Sequence, residues 1–232
     1  MCIRDRHGMI KNILNLGDAA VYCDFGDEVN KKTNSLVIRY FKTLRSNKID
    51  GVNNLIPSYN KLIISFDLKK TNFKKLKKVL ENMSIDREEN LSSRKIEIPV
   101  CCHENLSLDI ERVEKKLKLS RDKIFENFFS NEYFCYMTGF IAGMPFLGDL
   151  KDEMRVERLE TPRVKVPKGS VGVTEQFTNI YTFESPGGWN IIGNTPIKIF
   201  DNKKEKDPNL VNPGDTIIFK NINLEQYKNL NE

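Results

Sequence analysis

Residues 19–25 are apolar but for Asp24, a short run of strand length, and Gly26-Asp27 closes it. Leu36, Val37, Tyr40, Phe41 and Leu44 recur at helical spacing, which predicts a helix over 29–45. Gly51 breaks that pattern. Residues 55–57 and 62–66 read as two strands around a Ser58-Tyr59-Asn60 turn. A second amphipathic helix is predicted over 71–83, with Thr71 as its N-cap and Phe73, Leu76, Leu80 and Met83 as its inward stripe. The order β-α-β-β-α suits a small sheet with helices packed on one face.

Residues 86–94 are polar and charged and read as a linker. Beyond them 95–100 is strand-like. Two short helices are expected over 108–117 and 121–129, capped by Ser107 and Ser120. From Tyr133 onward strand-like pieces (133–138, 165–166, 170–173, 180–183, 190–192, 197–200 and 216–219) alternate with Gly, Pro and Asn turns. That texture points to an antiparallel barrel or sandwich. In the turn Pro213-Gly214-Asp215, Pro sets φ at one corner and Gly accepts a positive φ at the next. The fold class is therefore α+β: an N-terminal α/β domain over 11–88 and a β-rich domain over 95–232. Residues 1–10 are expected to be a disordered or non-native tail, because the run from Cys2 to His7 matches nothing that follows.

Composition narrows the function classes. Hydrophobic residues make up 39% and charged residues 30% of the 232, which is a globular balance. The net charge is +5, from 37 Lys+Arg against 32 Asp+Glu. The lysine pairs at 69–70, 74–75 and 77–78 lie on or beside the second predicted helix, where a solvated face would place them, so no nucleic-acid partner is expected. No run approaches the roughly 18 apolar residues of a membrane span, and no signal-peptide core opens the chain. Five cysteines without framework spacing imply reduced thiols and a cytoplasmic location. Cys101-Cys102-His103 does not make a metal site, because adjacent cysteines chelate one ion poorly and His7 is the only other histidine. The same scarcity argues against a Ser-His-Asp set. No Walker loop or dinucleotide glycine fingerprint is present.

Three stretches carry candidate chemistry. Glu184-Ser185-Pro186-Gly187-Gly188-Trp189 holds the only tryptophan. Pro followed by two glycines fixes one φ and frees the next two residues, so bare backbone can approach a neighbour. The same run also suits a tight loop with a core-packed indole. Residues 139–148 place three glycines among large apolar side chains, either lining an apolar pocket or forming an ordinary buried loop. Residues 158–167 gather Arg158, Arg163 and Lys165, and in an extended strand Arg163 and Lys165 share one face. Two cations on one face can hold a carboxylate or phosphate.

These stretches, at 139–150, 161–173, 177–196 and 213–219, together resemble the bacterial family of the 5-oxoprolinase B subunit, also known as allophanate hydrolase subunit 1 or the Kip-type histidine kinase inhibitor. Gly17-Asp18-Ala19-Ala20, Phe25-Gly26-Asp27 and Ile98-Pro99-Val100-Cys101 extend the resemblance toward the N-terminus. It implies that the second domain is a cyclophilin-like antiparallel β-barrel. It also implies one component of an ATP-dependent 5-oxoprolinase that opens 5-oxoproline to glutamate, with proteins like the A and C subunits of that enzyme as partners. The alternatives are an inhibitor of a sensor histidine kinase and an allophanate hydrolase or carboxyltransferase-type component. ATP is the implied co-substrate of the complex, and this chain itself implies no metal or biotin. Arg163 and Lys165 are the expected catalytic residues. Gly139, Phe140, Gly143, Pro145, Phe146, Ser170, Tyr181, Ser185, Gly187, Gly188, Trp189 and Thr195 are expected to shape the substrate site. The chain departs from the family pattern at Phe128 (often His), at His103 and Glu104 (glycines), at Ala142 (Pro) and Met144 (aromatic), at Phe177 (Gln) and Asn179 (Gly), and at Asn194 (Arg). The losses at 128, 177 and 194 would remove polar groups from a pocket without touching the residues the fold needs.

Overall fold

The computed structural model describes residues 10–85 and 93–230. Nearly all of the expected tail, and residues 86–92 of the linker expected over 86–94, lie outside the described residues. The chain divides into two compact units, 1–92 and 93–232.

The first unit runs β1 (Asn12–Leu16), β2 (Ala20–Asp24), α1 (Lys31–Asn47), β3 (Val52–Pro57), β4 (Lys61–Phe66) and α2 (Phe73–Glu81). Its antiparallel sheet has the order β1-β2-β4-β3. Strict alternation on β2 and β4 sends Val21, Cys23, Leu62, Ile64 and Phe66 to one face, where Val37, Tyr40, Leu44, Leu76 and Leu80 of the helices cover them. Asn30 caps α1 by accepting from the Thr33 N–H at 2.8 Å. The cap of α2 is Asn72, not Thr71: Asn72 Oδ1 accepts from the Lys75 N–H at 3.0 Å, while Thr71 is buried against Gly51. β1 has no counterpart among the expected strands, because its residues are largely exposed and it shows little apolar alternation.

The second unit runs β5 (Lys95–Cys101), α3 (Ile110–Leu117), α4 (Arg121–Phe129), β6 (Glu132–Thr138), β7 (Pro145–Gly148), a 3-10 turn (Asp152–Met154), β8 (Arg163–Val166), β9 (Ser170–Thr174), β10 (Phe177–Ile180), β11 (Ser185–Gly187), β12 (Asn190–Asn194), β13 (Thr216–Ile222) and α5 (Leu224–Leu230). Seven strands close into a barrel in the order β10-β7-β6-β13-β5-β12-β9, and β11 and β8 form a separate two-stranded ribbon. The barrel is not wholly antiparallel as expected. β5 and β13 pair in parallel along seven residues. They are the first and last strands of the unit, so the long chain between them allows both to run the same way. Ile98, Val100, Leu147, Val171, Val173, Ile180, Ile192, Ile217 and Phe219 contribute to the main core.

Helices α3 and α4 seal part of this core through Val113, Ile124 and Phe128, whose ring stacks on Phe219 at 4.9 Å. Ser120 caps α4 through the Lys123 N–H at 3.3 Å. Ser107 does not cap α3. Its hydroxyl donates to the Ile192 carbonyl at 2.9 Å, and Asp109 takes the N-cap position without a capping side-chain bond. The strand expected at 197–200 is reduced to one bridge, Phe200 to Asn209. Residues 145–148, which read as loop in sequence, form β7.

Candidate functional site

Along β9 and β12 every residue is buried, so both faces of these strands are covered. One face meets the main core. The other carries a smaller cluster, Met144, Val166, Tyr181 and Ile191, with Ile141 and Phe146 against it. Strand register lines up Phe146 of β7, Asn179 of β10, Gly172 of β9 and Ile191 of β12 as cross-strand neighbours on that second face. Val166, from the ribbon, belongs to the same cluster.

The ribbon joins the two stretches that sequence singled out. Gly187 of β11 pairs with Arg163 of β8, and Ser185 pairs with Val166, with a register shift between them. Cross-strand partners share a face, so Ser185 turns with Val166 toward the covered cluster. Gly187 approaches the Tyr181 hydroxyl so closely that a Cβ there would lie 2.2 Å from it. A side chain at 187 would force the buried tyrosine to move, which accounts for the first glycine of the Pro-Gly-Gly turn. The Trp189 backbone also lies beside the Tyr181 hydroxyl. Burial pushes its pKa up, while the Asn179 amide, the Trp189 N–H and the charges of Arg158 and Arg163 pull it back. The half-buried Trp189 indole meets Phe146 edge to face, with ring centroids 5.6 Å apart.

Both cations expected to be catalytic, Arg163 and Lys165, have carboxylate partners. Arg163 makes a two-pronged ion pair with Asp109, at 2.9 and 2.5 Å, and Asp109 Oδ2 also accepts from the Ile191 N–H at 2.7 Å. Asp109 is only 5% exposed in its side chain. A guanidinium matched so closely to a buried carboxylate fastens the ribbon to the start of α3. Lys165 is exposed and pairs with Glu184 at 3.1 Å. Of the three cations gathered by this stretch, Arg158 has no carboxylate partner among the described residues; it is exposed, with its guanidinium beside Gly188. Its proximity to the turn was legible as clustering with Arg163 and Lys165, but nothing in the sequence distinguished the paired from the unpaired arginine. Asp109 had no sequence signal as a site residue, and Asn179 showed only as a departure from the family pattern, which has glycine there.

A cavity of about 240 Å³ opens beside this face. Tyr181, Thr182, Gly169, Lys168, Asn194 and Thr195 line it together with Pro196, Ile197, Ile199 and Tyr227. The expected Tyr181 and Thr195 therefore share a cavity, next to the buried Ser170. Asn194 donates to the Lys168 carbonyl at 2.9 Å, and its Oδ1 accepts from the Tyr227 hydroxyl of α5 at 2.8 Å. Gly139, Phe140 and Gly143 sit in the β6–β7 connection, where Phe140 is 69% exposed and Gly143 packs on Phe200. Pro145 opens β7 opposite Thr138. Of the departures noted in sequence, Phe128 stands in the main core and Phe177 packs edge to face on Tyr136, so neither removes a group from the cavity. Among the described residues no His, Cys, Asp or Glu cluster is placed to hold a metal, and no helix is long and apolar enough to cross a membrane.

The closed barrel with its two-stranded ribbon makes the second unit a β-barrel domain. Residues 11–211 match the carboxyltransferase domain family, subdomain C and D, and the chain belongs to it. It is 32% identical over 228 residues to the 5-oxoprolinase B subunit of Bacillus subtilis, covering 93% of this chain and 94% of that one. Among solved structures, TTHA0988 superposes with a TM-score of 0.79 at 28% identity, over 88% of this chain but 40% of that longer chain. The Kluyveromyces lactis urea amidolyase shares the fold, with a TM-score of 0.77 at 20% identity. There the match covers 93% of this chain and 15% of that one.

Proposed function

We propose that this protein is the B subunit of an ATP-dependent 5-oxoprolinase, acting with A-like and C-like subunits to open 5-oxoproline to glutamate in the cytoplasm. The observation that carries the reading is the seat of Tyr181. Its hydroxyl lies against Gly187 and the Trp189 backbone, beside Arg158 and Arg163, in a chain 32% identical over most of its length to a 5-oxoprolinase B subunit. Lactam opening places negative charge on the amide oxygen. ATP transfers its terminal phosphoryl group to that oxygen and leaves as ADP. Water adds to the activated ring carbon, the C–N bond breaks with the nitrogen leaving as the amine, and a second water hydrolyses the resulting acyl phosphate to glutamate and phosphate. A preorganised donor and cation beside the developing charge lower that barrier. In this reading Tyr181 and Arg158 face the substrate, and the Ser185–Trp189 turn shapes its seat. Arg163 acts through the ribbon it fastens, and Lys165 is available at the outer surface for a ligand shared with another component of the complex.

Phe140 and Val164, 69% and 80% exposed, supply apolar surface for such a partner. The same surface supports a second reading, docking on a sensor histidine kinase. The test is reconstitution with the A-like and C-like proteins of the same genome. Glutamate should form from 5-oxoproline only when all three proteins and ATP are present. A complete assembly that leaves 5-oxoproline unchanged overturns the proposal, and suppression of kinase autophosphorylation by the chain alone would favour the second reading. The shared fold with urea amidolyase supports an allophanate-type substrate more weakly, and turnover of allophanate by the same assembly would reveal it.

A further inference from the structure

Asn179 lies within β10, flanked by Phe146 of β7 and Gly172 of β9. It is fully buried, and among the described residues neither its Oδ1 nor its Nδ2 makes a directed hydrogen bond, although the amide lies beside the Tyr181 hydroxyl. The Ser185 hydroxyl, on the ribbon that covers this face, is buried and unpartnered as well. Leaving such atoms unpaired is costly, and native proteins rarely do so without a use for them. The backbone also keeps space for them. A Cβ at Gly172 would come within 2.8 Å of Asn179 Oδ1 and 3.0 Å of Trp189 Cβ, so glycine there lets the amide and the indole lie side by side.

A primary carboxamide carries one acceptor and one donor on a single planar edge. Its complement is an amide whose N–H and C=O point the same way, which is the cis geometry a small lactam ring enforces. We propose that Asn179 recognises the ligand by pairing with a cis-amide edge through two parallel hydrogen bonds, while Arg158 takes a carboxylate on the same molecule. This deepens the 5-oxoprolinase reading and rests on it. The ligand class is a small carboxylate-bearing lactam. Trp189, half-buried beside Asn179, is the cover that moves to admit it, and the Ser185 hydroxyl is a further donor or acceptor at the ring. Esters and lactones offer no N–H, so the Asn179 carbonyl would face them unpaired.

The test titrates the full chain, by itself and with its partner proteins, with 5-oxoproline and with its lactone counterpart, in which oxygen replaces the ring N–H. Binding is read by calorimetry. Wild type should bind the lactam at least about tenfold more tightly than the lactone. Asn179→Ala and Asn179→Leu should erase that preference while melting at or above the wild-type temperature, since each removes an unpaired buried amide. Equal binding of the two rings by wild type, a preference that survives in either variant, or no lactam binding at all overturns the assignment. A clear fall in melting temperature in both variants does so too, because it marks Asn179 as a structural group. The enzyme reading is judged separately, by ATP-dependent glutamate formation in the wild-type assembly.

Discussion

The ion pair of Arg163 with Asp109 turns a residue that looks like a ligand contact into a fastening. Asp109 sits at the N-cap of α3, accepts the Ile191 N–H of β12, and grips the arginine of β8. Asp109→Ala therefore strands a guanidinium and a backbone N–H together. Breaking such a pair from one side costs about 3 kcal/mol, to be measured by urea denaturation; a variant within error of wild type would refute the fastening role. Asp24 gives a second residue-scale prediction. Burial alone would raise its carboxyl pKa, but the Lys61 ammonium at 2.5 Å, the Gly26 N–H at 2.8 Å and the Asn12 amide hold it below the usual range. A carboxyl depressed in the folded state contributes stability above its unfolded pKa of about 4 and loses it as pH falls through the folded value. The wild-type melting temperature should drop below about pH 4, and Asp24→Asn should be less stable at pH 7 with a shallower acid slope. Parallel pH curves for the two proteins would rule this out. None of these pairings is written in the sequence, where Asp109 is one acid among many in a charged segment.

The ribbon of β8 and β11 is the element that brings the two candidate stretches together. Its strands are short, and one partly exposed side chain (Arg163) and one glycine (Gly187) decide where it lies. Gly187→Ala would place a Cβ within 2.2 Å of the Tyr181 hydroxyl, so the ribbon must shift. The expected result is a lower melting temperature with altered emission from Trp189, the chain's only tryptophan. Unchanged values for both would show that the turn does not rest on the tyrosine. The helices were legible because an amphipathic stripe and a cap are local signals: α1 and α4 fall within about two residues of their expected bounds, the usual uncertainty of helix ends. Element ends were less so. Thr71 and Ser107 look like caps in sequence, yet each is drawn into tertiary packing, and a neighbouring residue holds the cap position. The run at 197–200 has strand composition but finds no partner edge beyond one bridge, because strand pairing is decided by what lies across, not along, the chain.

At the scale of the whole molecule, the second unit has its own closed barrel and its own buried cluster. Residues 93–232 expressed alone should fold and melt in one cooperative transition, followed by circular dichroism. A fragment with no near-ultraviolet signal and no transition would show that it depends on the first unit. Sequence by itself determined the α+β class, the helix-rich front and strand-rich back, and the family, because periodicity, turn residues and the Ser-Pro-Gly-Gly-Trp run are local and survive without coordinates. Tertiary structure alone decided that β5 and β13 run in parallel, that Arg163 is paired with Asp109 while Arg158 has no carboxylate partner among the described residues, and that Asn179 is buried beside Tyr181. Each of those depends on residues far apart in the chain meeting across a strand or a ribbon, and no local pattern records which distant partner a side chain will find.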